Sequence, residues 1–352
     1  MKLFLRIQYR IRRMNSALIL MLSLALGAPA QNAPDESWEK ICRDVQAQPL
    51  VEPRISGPLK ESQLPMCDAR ALYYGFGSKP DYPAALQCAW YQRSHSDANG
   101  NSDMFGPTGM LTMLYANGRG TPRNFDFAIR FACEQPFAAP AEMEGRIANL
   151  RRMKATNNQK DIFDLCDDAT SGMSMGFCQS IEQDKQDAER ARKRAAFTVK
   201  LTAPAKVLYD KLYAAEGRFE ETRVNNELDM SGSARNMFVL QDRGRLRDQF
   251  IINLDRFSKG DIPQATAEDV KKLDAEMNAV YQRLMQLPES AYEVGTVKRD
   301  GVRETQRAWL QLRDAWMAFA KPAYPKLTAD RVMAQLIRLR LHQLQALPVE
   351  LK

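Results

Sequence analysis

The sequence predicts an all-α fold, in which a short helical-hairpin repeat module is followed by an antiparallel helical-bundle domain. Apolar residues recur at intervals of three and four through the C-terminal half, which is the spacing of an amphipathic helix. The strict alternation of apolar and polar residues that is typical of a strand is absent. A pattern of aromatic residues and glycines occurs twice in the N-terminal half, which indicates repeated hairpins.

Residues 1–30 have the composition of a cleaved export signal. Five basic residues precede an apolar run from Ala17 to Leu26, which is too short to span a hydrocarbon layer of about 30 Å. Ala28-Pro29-Ala30 then supplies small residues for a cleavage site. We expect the mature protein to begin at Gln31 and to be periplasmic or secreted, without stable membrane insertion. The alternative is a membrane anchor that is retained after export.

The net charge does not indicate nucleic-acid binding. The whole chain carries +7, but five of its positive charges and no acidic residue lie in residues 1–30. Removing those five charges from +7 leaves +2 for the mature chain. No basic stripe interleaved with aromatic residues replaces them. The surplus that suggests nucleic-acid binding is therefore lost with the signal.

The cysteines indicate disulfides rather than a metal site. An even number in an exported chain favours disulfide bonds, and six cysteines allow fifteen pairings. The chain has no CxxC motif and its two histidines, His95 and His342, are isolated, so a zinc site is not expected. The six are Cys42, Cys67, Cys88, Cys133, Cys166 and Cys178.

Residues 31–64 are predicted to form an extended lead-in with one short helix from Trp38 to Val45, and the repeats are expected within residues 65–155. The offset between the two copies of the repeat is 42 to 43 residues, in the range of helical-hairpin solenoids. Leu72-Tyr73-Tyr74-Gly75-x-Gly77 recurs as Leu114-Tyr115-x-x-Gly118-x-Gly120, and Tyr82, Ala85 and Ala89 recur as Phe125, Ala128 and Ala132.

These segments resemble Sel-like repeats, which are relatives of tetratricopeptide repeats, although the linker from His95 to Pro107 departs from the spacing of that family. The alternative is two unrelated helical hairpins. In an antiparallel hairpin the start of the first helix lies beside the end of the second, which makes Cys67 and Cys88 candidates for one bridge. Cys42 and Cys133 would then be left to pair with each other.

From Asp161 onward nearly every segment has helical spacing. The charged run from Glu182 to Ala196 has acidic residues first and basic residues last, which complements the helix dipole and indicates a solvated helix. A local disulfide is expected between Cys166 and Cys178, because Gly172 and Gly176 between them allow the chain to fold back. Further helices are predicted at residues 203–222, 233–258, 267–286, 301–321 and 328–346.

The helix predicted at 301–321 has the clearest pattern. Its apolar or small residues fall at 302, 305, 309, 312, 316 and 319, in one stripe, so Trp309 and Trp316 should face a core. Gln306 and Arg313 lie at the border of that stripe. Arg303, Arg307, Gln311 and Asp314 occupy the opposite face, which we expect to be exposed; if the helix binds a partner, these residues contact it.

Three segments together resemble the lysozyme inhibitor LprI-like family over roughly residues 161–348. They are Cys166 with Cys178, the segment from Leu273 to Tyr281, and Gln306 to Asp314 with its Gln-Arg-Ala-Trp-Leu-x-x-Arg-Asp pattern. The resemblance implies a helical, exported, non-enzymatic protein that binds lysozyme or another cell-wall-active protein. The resemblance implies that the carboxylates of Glu227 and Asp229 are the nearest partners available to Arg313. We therefore expect Arg313 to form a structural ion pair.

No arrangement of residues predicts catalysis or a cofactor. The chain has no nucleophile elbow, no phosphate-binding glycine loop and no metal-ligand spacing. Glu227 and Asp229 are a conceivable carboxylate pair for a peptidoglycan hydrolase, but that chemistry needs a set separation across a cleft. An envelope structural or immunity-type partner protein is a further alternative. If a lysozyme is the target, Lys298 and Arg299, in the loop predicted at 293–301, are the expected contacts.

Overall fold

The computed structural model describes residues 37–95, 103–135, 138–292 and 295–349. All of them belong to one compact unit, Ser37–Lys352. The predicted export signal, the start at Gln31, part of the linker before Pro107, and Glu293 with Val294 lie outside the described residues.

The N-terminal part of the described chain consists of short helices joined by tight turns. The longest of them has 17 residues. Short 3-10 helices occur at Glu61–Met66 and Leu165–Asp168. The α-helices are α1 (Trp38–Gln46), α2 (Ala69–Tyr74), α3 (Tyr82–His95), α4 (Pro107–Asn117), α5 (Phe125–Cys133) and α6 (Pro140–Thr156).

The two sequence repeats adopt the same local geometry. In each, a helix ends at a glycine with positive φ (Gly75, +71°; Gly118, +63°) and a second such glycine follows two residues later. That second glycine is required in the second repeat, because a Cβ on Gly120 would lie 2.4 Å from the Tyr82 carbonyl oxygen. The hairpins α2–α3 and α4–α5 are therefore matched units; their relation to Sel-like repeats stays a prediction.

The alanines of the repeats lie where helices approach closely. Ala85, Ala89, Ala128 and Ala132 are all fully buried in one hydrophobic cluster. A larger side chain at these positions would force the hairpin helices apart, since protein interiors have little free space. The small residues identified in the sequence thus set the helix spacing in this cluster.

Three disulfides join the cysteines within this part of the chain and its junction with the next helix. They connect Cys42 to Cys133, Cys67 to Cys88, and Cys166 to Cys178. The first links α1 to the end of α5, and the second closes the α2–α3 hairpin. These are the pairings considered from the sequence.

Glu142 forms a buried polar connection between α6 and the start of the next helix. Its carboxylate accepts hydrogen bonds from the backbone of Thr170 (2.9 Å) and Ser171 (2.6 Å) and from the Ser174 hydroxyl (2.8 Å). Burial alone would raise the pKa of Glu142, but the bonds from Ser171, Ser174 and Thr170 outweigh it and lower the pKa to about 2. Glu142 therefore stays ionised and holds the junction together.

The C-terminal part is a bundle of long helices, and a 3-10 helix at Glu289–Tyr292 precedes the fifth of them. The helices are α7 (Gly172–Thr198), α8 (Ala203–Asn226), α9 (Arg235–Lys259), α10 (Ala267–Gln286), α11 (Arg299–Ala323) and α12 (Ala329–Gln345). α8 packs against α11, α7 against α9, and α10 against α12.

A second hydrophobic cluster fills this bundle, from Tyr209 to Leu347. No strand occurs in the described part of the chain, so the predicted all-α class is confirmed. Among the same residues, no helix combines the length and the apolar character needed to cross a bilayer. The predicted domain boundaries stay predictions.

Candidate functional site

The inner face of α11 lies in the core, as the spacing predicted. Trp309 is 4 % exposed and Trp316 is 1 % exposed. The ring of Trp316 lies 5.4 Å from that of Phe250 and 5.2 Å from that of Phe257, both on α9. Both tryptophans therefore hold the bundle together and leave the outer face of α11 as the part open to a partner.

A buried ion-pair network crosses the bundle behind α11. Arg340 donates to both oxygens of Glu227 (2.6 and 2.9 Å), and its Nε donates to the Gln306 side-chain oxygen (2.8 Å). Arg223 also donates to Glu227 (2.8 Å) and continues the network to Asp242 (3.1 Å). Gln306 is thus a structural residue: it orients the guanidinium that neutralises Glu227.

The prediction that Arg313 forms an ion pair with Glu227 or Asp229 is wrong. Arg313 instead donates to its neighbour Asp314 (2.9 and 2.7 Å) and lies 5.7 Å from the Trp309 ring. The oxygens of Glu227 are already bound by Arg340 and Arg223. Arg313 therefore packs over a tryptophan at the surface, where its charge remains solvated.

Arg340 is the structural residue that the sequence analysis missed. It lies in the last helix between Leu336, Ile337, Leu341 and Leu344, all of which are buried. A charged residue inside such an apolar stripe indicates a buried ion pair. That signal was present in the sequence, but the partner is 113 residues away and only the fold brings it close.

The outer face of α11 is open. Arg307, Gln311 and Asp314 are exposed, as expected for this side of the helix. Arg303 is partly exposed and forms an ion pair with Asp300, three residues before it. Such a surface pair contributes little to stability, so the guanidinium can exchange partners at small cost.

The N-terminal end of α11 differs from the predicted loop. The helix begins at Arg299, so Arg299 to Gly301 are helical, and Lys298 is the exposed residue that precedes it. Arg299 donates to the Leu287 carbonyl oxygen (2.6 Å) and pairs with Glu289 (3.0 Å). Lys298 is therefore open to solvent, whereas Arg299 ties α11 to the segment before it.

Thr296, shortly before α11, is bound to the segment that follows α8. The Thr296 hydroxyl accepts from the Met230 backbone (2.7 Å) and donates to the Leu228 carbonyl (3.3 Å). A Cβ on Gly301 would lie 2.8 Å from the Asn226 side-chain oxygen, which shows how closely the two helix ends approach. Lys298, Arg303 and Arg307 are consequently presented from a rigid support; we call these three residues the basic end of α11.

Glu227 and Asp229, the carboxylate pair considered for hydrolysis, are not arranged to act as a general acid and a general base. Glu227 is buried and bound by two guanidiniums. The nearby Asp229 instead accepts from the hydroxyl and backbone of Ser231, and these bonds lower its pKa. No group of three or more His, Cys, Asp or Glu side chains arranged to hold a metal occurs among the described residues.

Part of the chain matches a known protein family. Residues 258–344, about a quarter of the 352 residues, match the family model described as Lysozyme inhibitor LprI. The matched segment contains α10, α11 and nearly all of α12. Comparisons with curated proteins and with solved structures gave no match.

The C-terminal part of the chain is therefore similar to a family of protein-binding inhibitors rather than of enzymes. The match begins at residue 258, so it is shorter than the resemblance noted from residue 161, and it leaves the Cys166–Cys178 region and the repeats outside.

Proposed function

We propose that the chain is an exported, non-enzymatic inhibitor that binds a lysozyme or another cell-wall-active protein. The observation that carries this proposal is the match of residues 258–344 to the lysozyme-inhibitor family. The structure supports it in one respect. Gln306 and Trp309, which belong to the family pattern on α11, are buried, and the same helix carries cationic side chains on its outer face.

The basic end of α11 is the proposed contact. A lysozyme cleft contains two carboxyl groups, of which at least one is ionised. Lys298 and Arg307 are exposed, and Arg303 can leave Asp300 for a carboxylate of the target. Arg299 has a supporting role, because its guanidinium is held by Leu287 and Glu289.

Binding to a lysozyme would have to depend on local contacts between charged groups rather than on long-range electrostatic attraction. Animal-type lysozymes are basic, and an inhibitor that is steered to them is usually acidic. A mature charge of +2 offers no such steering. We therefore expect slow association, and inhibition that depends on close contacts of the basic end with the cleft.

Export is part of the proposal. Disulfides persist in oxidising compartments, and all three cysteine pairs of this chain are bonded. N-terminal sequencing of the protein from a periplasmic fraction should return Gln31 as the first residue. Recovery of Met1 there would contradict cleavage.

The inhibition test compares two double variants that each remove two positive charges. Lys298→Ala with Arg307→Ala alters the basic end. Lys206→Ala with Lys211→Ala alters exposed lysines on α8 that lie about 20 to 30 Å along that helix from Asn226, the residue that meets the start of α11. Inhibition of peptidoglycan hydrolysis should weaken at least tenfold in the first variant only, with both melting temperatures unchanged.

Two outcomes would contradict the proposal. Absence of inhibition by the unaltered protein across animal and bacterial lysozymes would reject a lysozyme as the target. If Lys298→Ala with Arg307→Ala inhibits as strongly as the unaltered chain, the basic end is rejected and the contact must lie elsewhere, for example on the repeat hairpins.

A further inference from the structure

An open cleft lies between α7, α8 and α9, outside the matched segment. Its volume is about 520 Å³. Phe250 and Ile251 of α9 form an apolar wall, and Tyr213 of α8 adds an aromatic ring that is 43 % exposed. The size and the mixed lining suit a small organic molecule.

Glu216 is the unusual residue of this cleft. It is only 7 % exposed, and among the described residues no hydrogen bond or ion pair engages its carboxyl. The carboxyl oxygens are not completely enclosed by protein, so a ligand in the cleft can reach them. Glu220, one turn further along α8, is different: it is bound by Arg243 and Arg247. Glu216 therefore has an unused hydrogen-bonding capacity that points to a ligand.

One cation of the cleft is also uncompensated. Arg190 is bound by Asp187 and Asp248, and Arg247 by Asp187 and Glu220. Arg194 has no carboxylate partner among the described residues. Its guanidinium contacts the Tyr213 hydroxyl and lies 4.4 Å from the centre of the same ring. The cleft thus combines one available cation with one available carboxyl group.

Gly217 lines the cleft. It lies in the interior of α8, where glycine costs about 1 kcal/mol relative to alanine. Packing does not require it, since an added Cβ would meet no atom within 4 Å. A larger side chain at this position would therefore extend into open space at the cleft.

We propose that this cleft binds a small organic anion with an apolar body. The anionic group pairs with Arg194, the apolar body lies against Tyr213, Phe250 and Ile251, and an acceptor atom of the ligand takes a hydrogen bond from Glu216. This inference concerns a site away from the basic end of α11 and does not depend on the proposed inhibition.

The protonation of Glu216 supports this assignment. Burial, with a further contribution from the charge of Glu220, raises the pKa of Glu216 to about 8. At neutral pH the carboxyl is therefore protonated and can donate to an acceptor. The other charged or titratable groups that line the cleft are Asp187, Arg190, Arg194, Tyr213, Glu220 and Arg247. Arg340 of α12 lines a second, smaller pocket that Glu216 also borders.

The test uses 1-anilinonaphthalene-8-sulfonate, an aromatic anion whose fluorescence rises in an apolar site. We expect saturable binding to the folded chain at pH 7. Arg194→Gln and Gly217→Leu should each raise the dissociation constant about tenfold or more, because one removes the cation and the other fills the space. Gly217→Ala is the variant that is expected to fold at least as well as the unaltered chain. It should raise the melting temperature and weaken binding by a smaller factor than Gly217→Leu does.

A neighbouring groove provides the control. It is lined by Phe197 and Ile252 and does not include Glu216 or Gly217. Ile252→Ser should leave the dissociation constant unchanged. Absence of saturable binding, or binding that Ile252→Ser weakens and Gly217→Leu does not, would overturn the proposal.

Glu216→Gln separates a donor role from a packing role. The amide still donates a hydrogen bond but does not titrate. Affinity of the unaltered chain should fall as the pH rises from 7 to 9, whereas that of Glu216→Gln should stay nearly constant over this range. An identical pH dependence in both proteins would show that Glu216 does not contact the ligand.

Discussion

The Arg340–Glu227 pair shows how strongly one residue can depend on the fold around it. Both side chains are fully buried, and the pair is completed by Arg223 and Gln306. Burying two charges is costly, and the pair is tolerated because nearly every polar atom has a partner. The network is therefore far more sensitive to the loss of one member than any surface pair of this protein.

Arg340→Leu should destabilise the chain by about 3–5 kcal/mol, because it leaves Glu227 buried without its main partner. Arg313→Ala, which removes a surface arginine, should cost no more than about 1 kcal/mol. Urea unfolding of the two variants measures the difference. Similar losses in both would show that Glu227 is solvated in solution.

The buried carboxylate of Glu142 should make the stability of the folded chain sensitive to acid. Its folded pKa of about 2 lies below the ordinary value of 4.5, so its stabilising effect is present above pH 4.5 and is lost as the pH falls toward 2. Glu142→Gln should lose about 3 kcal/mol at pH 7, and its deficit against the unaltered chain should shrink in acid. Urea unfolding from pH 7 to 2 tests this; a deficit that is constant with pH would contradict it.

At the scale of the elements, α11 separates two roles on one helix. Its inner side carries Val302, Trp309, Trp316 and Phe319, all buried, and its outer side carries solvated polar residues. The side chains on the outer side of such a helix can be substituted without unfolding the bundle. A binding surface on a stable support needs this property.

Trp309→Ala and Trp316→Ala should each destabilise the bundle by about 3–5 kcal/mol, as large-to-small core substitutions do. Gln311→Ala, on the outer side of the same helix, should change stability by no more than about 0.5 kcal/mol. Thermal unfolding followed by circular dichroism gives the comparison. Unchanged melting of the tryptophan variants would mean that the rings are exposed and available to a partner.

At the scale of the whole molecule, the disulfides act over very different lengths of chain. Cys42–Cys133 spans 91 residues and Cys166–Cys178 spans 12. The long closure also holds α1 on α5, where Arg130 donates to the carbonyls of Val45 (2.6 Å) and Gln48 (2.8 Å). The first segment of the described chain is thus bound both covalently and by hydrogen bonds.

Replacing Cys42 and Cys133 by serine should cost about 4–5 kcal/mol, against about 3 kcal/mol for Cys166 and Cys178, because a longer closed loop restricts the unfolded chain more. The order of the two losses in urea unfolding is the measurement. A larger loss for the short loop would show that native contacts around Cys166 dominate over chain entropy.

The amino-acid sequence by itself determined the local features. The spacing along α11 placed both tryptophans inward, and the glycines of the repeats placed the turns of α2–α3 and α4–α5. These features follow from helix periodicity and from backbone conformations that only glycine adopts readily, and both act over a few neighbouring residues.

Only the tertiary structure decided which distant residues meet. It paired Glu227 with Arg340 rather than with Arg313, bound Arg299 to Glu289, and brought Glu216, Arg194 and Phe250 to one cleft from three helices. Helix periodicity defines the faces of each helix but not which faces pack together. That choice depends on the packing of the whole bundle, in which a buried charge takes the partner that the fold places nearest.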